Sequence, residues 1–357
     1  MQVELIRSQA LGEERLGEWI ALQRSNPHLD SPYFCPEFTQ AVASVRDDVE
    51  IAVLRDAGET IGFFPFQRTT RSVGKPVGGR LADFQGVIAG PDAAWNAHEL
   101  IDACGLSAWS FDHLLASQAA FEPDSWGTAV SPYIDLSNGF EEFRKAKRKA
   151  GGRELDQALR KSRKLSREVG PLRFEADLDD DQVFDTLLHW KSEQYQRTRL
   201  ADVFAFDWTV ALLQQLRTTR TDDFQGLLSG VYAGDRLVAV HFGIRSGAVL
   251  HYWFPAYDRE FMKYSPGLVL LAEICQAVED LGIRRVDLGK GTEQYKTSFM
   301  TGTTLLAEGA VENRLVSKLV RKGWHDVRAW VRSSRLSGPA QVPAAWIRPL
   351  REWIAFR

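Results

Sequence analysis

Between Val286 and Phe299 the chain reads VDLGKGTEQYKTSF, a run that places an aspartate, two glycines, a tyrosine and a lysine in an order suited to group transfer. Asp287, at the end of an apolar run, could accept a proton from an attacking ammonium. Tyr295 or Lys296 could steady a developing oxyanion or protonate a leaving group. Gly289 and Gly291 permit backbone torsions closed to other residues and leave room for a ligand. A plainer reading stays open beside this one, in which Asp287 caps the turn, Lys296 is solvated and Tyr295 belongs to a core. Upstream, Lys263-Tyr264-Ser265-Pro266-Gly267 precedes a strongly apolar helical pattern. The unpaired N–H groups and dipole of a helix N-terminus favour anions, so this segment could hold the pyrophosphate of a thioester donor. Ser265 could cap the helix or touch phosphate, and Gly267 would allow close approach. Ser-Pro-Gly also begins many helices that bind nothing.

These residues need strands and helices to present them. From Gly226, the stretches GLLSGVYA, RLVAVHFGIR and AVLHYWFPAY run apolar or alternate over strand lengths and are separated by AGD and RSG turns, which predicts an antiparallel meander. Leu268, Leu271, Ile274, Cys275, Val278 and Leu281 recur at helical spacing, with Pro266 suited to the first turn and Gly282 to the position past the end. RRVDLG reads as a short strand, TEQYKTSF as a short helix and TTLLAEGAV as a last strand. The N-terminal half carries a weaker copy of this order. EIAVLR and TIGFFPFQ flank a DAGE turn, and RLADFQGVIAG, a helix from about Asp92 to Cys104 and the strand LSAWSFDHL follow. A duplicated α/β fold of the α+β kind is the expectation, each half a mixed, mostly antiparallel sheet flanked by helices.

A length of 357 residues suggests two cores, and 44% hydrophobic with 25% charged residues is a globular composition. The N-terminus lacks the apolar run of a secretory signal, and no stretch approaches a membrane span. Three scattered cysteines, Cys35, Cys104 and Cys275, speak against a disulfide framework and a zinc site, so a reducing cytoplasm and no metal are expected. Net charge is −3, unevenly spread. Residues 141–168 hold eleven basic against five acidic side chains around a Gly151-Gly152 break. They read as exposed helix, either a solvated linker or a cradle for a polyanionic donor or substrate. No H-E-x-x-H, P-loop or G-x-S-x-G motif occurs, which leaves metalloprotease, Walker-type and α/β-hydrolase chemistry without support.

The run YDREFMKYSPGLVLLAEICQAVEDLGIRRVDLGKGTEQYKTSF resembles the C-terminal domain of BioF2-like, CelD-type acetyltransferases of the GNAT superfamily, relatives of the FemAB aminoacyl transferases. A Tyr-Ser-Pro-Gly helix start, a strand ending Asp-x-Gly-x-Gly and a Tyr-Lys pair follow in that order. The resemblance is specific over about 237–299 and looser over 132–199. It implies an N-acyltransferase with two GNAT-like domains at 1–136 and 171–311; composition adds a basic helical linker at 137–170 and a basic helical tail at 312–357. Tyr257, Ser265, Gly267, Asp287, Gly289, Gly291, Tyr295 and Lys296 fall on the motif. It implies acyl-CoA, acetyl-CoA in the first instance, as donor and an amino sugar of a cell-surface polysaccharide or its precursor as acceptor. Aminoacyl-tRNA is the other donor, and a catalytically idle scaffold is a further reading. The Arg/Gln-x-x-Gly-x-Gly/Ala phosphate loop of ordinary GNAT proteins is absent, and Lys263 to Gly267 stands in its place.

Other side chains are candidates for the acceptor. His241, His251, Tyr252 and Trp253 lie on strands that would line a cleft, although strand aromatics are more often core. Trp190, Tyr195 and Arg197 could grip a sugar by stacking and hydrogen bonding, or pack on a helix face. Asp83 and Gln85 stand at a strand end of the first half. From Glu312 onward, ten basic residues face three acidic ones, and Trp324, Trp330, Trp346 and Trp353 punctuate amphipathic segments. Such a tail suits the anionic inner face of a membrane. The same arginines could receive a cyclic dinucleotide, and packing onto the body is the alternative to both.

Overall fold

A computed structural model describes residues 1–313. The tail proposed to bind a membrane or regulator, from residue 314 onward, lies outside the described residues. In the first half come β1 (Gln2–Ile6), α1 (Glu13–Ser25), α2 (Pro36–Val45), β2 (Val49–Asp56), β3 (Glu59–Thr70), β4 (Val73–Pro76), the short β5 (Ile88–Ala89), α3 (Ala97–Ala103) and β6 (Ala108–Leu115). After β7 (Ser125–Asp135), α4 (Gly139–Lys149) and α5 (Glu154–Glu168), the pattern returns as β8 (Leu172–Glu175), α6 (Asp181–Thr198), α7 (Asp207–Thr218), β9 (Phe224–Ala233), β10 (Arg236–Ser246), β11 (Val249–Tyr257), α8 (Pro266–Ala277) and β12 (Arg285–Asp287). The chain continues through α9 (Gln294–Phe299) into β13 (Gly302–Glu312). Strand, two helices, three strands, helix, strand thus occurs twice. In each copy the last strand pairs parallel with the third of the three, β6 with β4 and β12 with β11.

The two halves share one sheet, ordered β1-β2-β3-β4-β6-β13-β7-β12-β11-β10-β9-β8, with β5 on β3. Its middle is an exchange. β7, from the first half, lies against β12 of the second, and β13 returns from the end of the second half to lie between β6 and β7. Strand pairing is therefore continuous across the junction, and neither half has a free edge there.

Local sequence explains the helix ends. Asn96 caps α3 by accepting the Glu99 N–H at 3.0 Å, so the helix starts at Ala97 and not near Asp92. Pro266 opens α8 as expected. The helix stops at Ala277, before Gly282, because turns take over and the Ile283 N–H bonds the Val278 carbonyl at 2.8 Å. Cores lie on both sheet faces. One unites α1, α2, α6 and α7 of both halves, with Trp19, Phe38, Phe63, Leu187, Leu213 and Phe242 among its members. On the opposite face, α5, α8 and α9 cover the second half and α3 the first.

Candidate functional site

The parallel strands β11 and β12 present His251 and Asp287 side by side in register. Facing them, from the first half, is the loop that follows the helical turn Gly79–Leu81 and carries Asp83. The Nε2 of His251 lies 2.8 Å from Oδ2 of Asp83, and the ring is fully buried, edge-to-face with Tyr33 at 5.0 Å between ring centres. Its Nδ1 has no hydrogen-bond partner among the described residues. On the other side of Asp83, His113 Nε2 is 3.6 Å from Oδ1, while its Nδ1 holds Asp112 at 2.9 Å. Burial pushes the Asp83 carboxyl up, but the His251 hydrogen bond and the charges of His251, His113 and Lys296 outweigh it and bring the pKa below the usual carboxylate value. Gln85 is the staple of this loop. Its Oε1 accepts the N–H groups of Asp112 and His113 at 3.0 Å, and its Nε2 donates to Asp112 at 2.9 Å. With 3% exposure, Gln85 supports Asp83 rather than reaching outward.

Gly289 lies directly against this pair. Its φ is +74°, and a Cβ there would sit 2.7 Å from Asp83 Oδ2 and 3.6 Å from His251 Cε1. Both the torsion and the space call for glycine. Gly291 also has a positive φ, of 139°, and its neighbour is the flexible Glu293 side chain. Lys296 is 7% exposed and folds back over the loop, its Nζ donating to the carbonyls of Lys290 at 2.9 Å and Gly289 at 3.2 Å, with Glu293 at 3.3 Å. Lys290 ties the loop to the first half through the Asp112 carbonyl at 2.7 Å and Glu308 at 2.5 Å. Tyr295 packs beside this set, and burial, then the charges of Glu293 and Asp83, raise its phenol so that it stays protonated.

Asp287 has a different environment from that of an available base. It is 1% exposed, and Arg285 donates to it at 2.9 and 3.2 Å while also clamping Asp30 with two bonds of 2.6 Å. Burial lifts the Asp287 carboxyl above its usual value despite Arg285 and His251. An ion triad across the two halves is what this carboxylate builds.

The remaining sequence candidates separate. Around the start of α8, Ser265 adopts φ +50° and its hydroxyl accepts from Lys161 of α5 at 2.5 Å. Lys263 lies over the Tyr264 ring at 4.7 Å and 3.6 Å from Glu168. Gly267 leaves only 3.5 Å to the Tyr257 ring for an added Cβ, an ordinary contact. This end of α8 can hold an anionic group through Lys161, Ser265 and the backbone N–H of Gly267. His241 is fully buried, stacks on Tyr252 at 4.6 Å, and burial with the His251 and Lys191 charges lowers its pKa to about 3. Tyr252 is equally enclosed, its phenol raised by burial, and Trp253 packs among Tyr33, Phe38 and Phe254. On α6, Trp190 and Tyr195 lean on the shared core, and Arg197 is exposed. Among the residues of the site not singled out from sequence are His113, Asp112, Lys161, Arg285, Asp30 and Lys191. For Lys191 a signal existed, because it continues the buried stripe Val183, Phe184, Leu187 of α6 at helical spacing.

Residues 153–297 match a family model described as an acetyltransferase (GNAT) domain. No curated protein matches the chain. Among solved structures it is similar to the C-terminal (DUF2156) domain of a putative lysylphosphatidylglycerol synthetase from Agrobacterium fabrum, at 13% identity, TM-score 0.52, over 89% of this chain and 96% of that one. It is also similar to FemX, at 10% identity, TM-score 0.54, over 90% and 99%. At such identities these likenesses show a common fold. No helix of the described residues is long and apolar enough to cross a membrane, and none of them group as a metal site. Residues 153–297 thus match a GNAT acetyltransferase domain within a large mixed sheet flanked by helices, which supports an acyltransferase.

Proposed function

We propose that the protein is an N-acyltransferase of the CelD-type branch that moves an acyl group, in the simplest case acetyl, from acyl-CoA to the amine of an amino sugar on a cell-surface polysaccharide or its lipid-linked precursor. The observation that carries the reading is the meeting of Asp83, from the first half, with His251, Gly289 and Lys296, which lie inside the region matched by the acetyltransferase domain. Asp83 is the partly exposed carboxylate of that group, with 22% of its side chain open. It receives the acceptor nitrogen as a hydrogen-bond donor. As the nitrogen bonds to the thioester carbon it becomes acidic, and the Asp83–His251 pair takes its proton. The C–S bond then breaks, and the proton taken from nitrogen passes to the thiolate, so that amine and thioester give amide and thiol. Lys296 and the neutral Tyr295 supply positive charge and an O–H donor on the Gly289 side. Lys161, Lys263, Ser265 and Gly267 form the anionic-donor end, in keeping with a polyphosphate-bearing acyl carrier.

A second reading, aminoacyl transfer from tRNA to a peptidoglycan precursor, is favoured by the basic surface of α5, where Arg160, Arg163 and Arg167 join Lys161. The polysaccharide assignment draws on family resemblance and on the basic tail, which in this reading rests on an anionic membrane face. Mass spectrometry of products after incubation with a panel of acyl-CoAs and UDP-amino sugars tests the first reading, and acyl transfer on at least one sugar amine is expected. Activity that appears only with charged tRNA and disappears after ribonuclease treatment would replace it by the second.

A further inference from the structure

Lys191 occupies a position on α6 where the pattern calls for an apolar residue. Val183, Phe184 and Leu187 enter the shared core, and Lys191, next along the same face, is only 8% exposed. Its ammonium donates to the Pro255 carbonyl of β11 at 3.1 Å and to the Gln194 amide oxygen at 3.3 Å, and it lies 5.5 Å from the centre of the Tyr195 ring. Both hydrogen-bond partners are neutral. Two of three N–H bonds are thereby used, and among the described residues no carboxylate comes within ion-pair range of it. Lys296, whose own three N–H bonds go to two carbonyls and Glu293, is close enough that its charge adds to burial in lowering Lys191 to a pKa of about 8. At neutral pH Lys191 is therefore still mostly charged.

A buried cation with only neutral partners costs stability, and an opposite charge is what relieves it. Pro255, which accepts from Lys191, belongs to β11, the strand that also carries His251 of the site. The anionic-donor end, Lys161 with Ser265, is at the start of α8. We propose that Lys191 recognises an anionic substituent, a carboxylate or a phosphate, carried by the acceptor, so that the amines acylated here are those of acidic sugars. The inference rests on the acyl-transfer reading and narrows its substrate class.

The test compares glucosamine, glucosamine 6-phosphate and 2-amino-2-deoxyglucuronic acid as acceptors, each with acetyl-CoA and with succinyl-CoA. Full-length protein is expected to prefer the acidic sugars by roughly 30-fold or more in kcat/KM, chiefly through KM, the scale of losing one partner of a buried charge pair. In Lys191→Met the ratio of acidic to neutral acceptor falls toward one, while its Tm stays at or above that of the unaltered protein because a buried charge has been replaced by a thioether. A measurement free of variants is the Tm of the unaltered protein, which glucosamine 6-phosphate should raise more than glucosamine. Equal use of neutral and acidic acceptors, a preference that survives in Lys191→Met, or a charge preference that follows the acyl group instead of the sugar would each overturn the inference. Transfer to neutral amines alone defeats this inference and leaves the proposed function standing, whereas no transfer to any amine defeats both.

Discussion

His251 on β11 and Asp83 in the opposite half, 168 residues apart in sequence, meet at 2.8 Å. Neither is placed by the element that carries the other. Their approach depends on the continuous sheet for its direction and on Gly289 for its clearance. Asp83→Asn keeps the shape of the contact and removes the charge. Steady-state assays should show a loss of about 100-fold or more in kcat, in the range of a lost general base, with the urea midpoint changed little. A variant with near-normal kcat would remove Asp83 from the chemistry.

Gly289→Ala tests the same contact from the backbone side. The new Cβ would meet Asp83 Oδ2 at 2.7 Å at a positive φ. A destabilisation of about 1–2 kcal/mol by urea unfolding is expected, together with an activity loss comparable to that of Asp83→Asn. Gly267→Ala serves as the contrast, because its Cβ meets the Tyr257 ring at 3.5 Å. That variant should be stable and should raise the KM for acyl-CoA alone.

Arg285 joins Asp30 and the buried Asp287. Arg285→Met strands the Asp287 carboxylate and should cost about 3–5 kcal/mol near neutral pH. Burial already raises the Asp287 carboxyl, so without Arg285 the folded protein binds this proton more readily than the unfolded chain does. Stability of the variant is then favoured at acid pH and lost as pH rises past the ordinary carboxylate range, and the deficit against the unaltered protein widens in that direction. Urea midpoints at pH 5 and pH 8 measure it; a deficit independent of pH would contradict the burial of an unpaired acid.

Asp112 behaves in the opposite sense. Burial pushes its carboxyl up, but the hydrogen bond and charge of His113, the Gln85 amide and the Lys290 charge carry it down to about 2. A depressed carboxyl stabilises the fold above its unfolded pKa and loses that contribution as pH falls through the folded one. Asp112→Asn should therefore be less stable than the unaltered protein above pH 4, with the gap closing as pH falls toward 2. The side chain is 45% exposed, so solvent screening holds the effect to about 1 kcal/mol. Acid titrations followed by circular dichroism would read the crossing.

Truncation separates the tail from the sheet. A chain ending at Asn313 retains β13, and the Asn313 N–H still reaches the Ser107 carbonyl at 3.0 Å. It should fold with an unchanged Tm but lose co-sedimentation with anionic vesicles if the tail is the membrane contact. Ending the chain at Met300 removes β13 from between β6 and β7, and far-ultraviolet circular dichroism should report loss of cooperative folding.

Much of the second half was legible in the sequence because its signals are local. Apolar or alternating runs between turn signals set β9, β10 and β11, the apolar period with Pro266 set α8, and the glycines after Asp287 marked a tight turn, of which Gly289 packs against Asp83 and His251. The repeated order in the first half was also readable, since it depends on the same periodicities. The role of Asp287 was not. Whether a carboxylate stands free or is clamped depends on Arg285 and Asp30, and Asp30 lies 257 residues away in the chain. The sequence by itself determined the elements from β9 to β13 and their order. Only the tertiary structure decided that β7 and β13 trade places, that Asp83 meets His251, and that Lys191 is enclosed without a counter-charge. Contacts of that range arise from the packing of two halves on one sheet, and local periodicity carries no record of them.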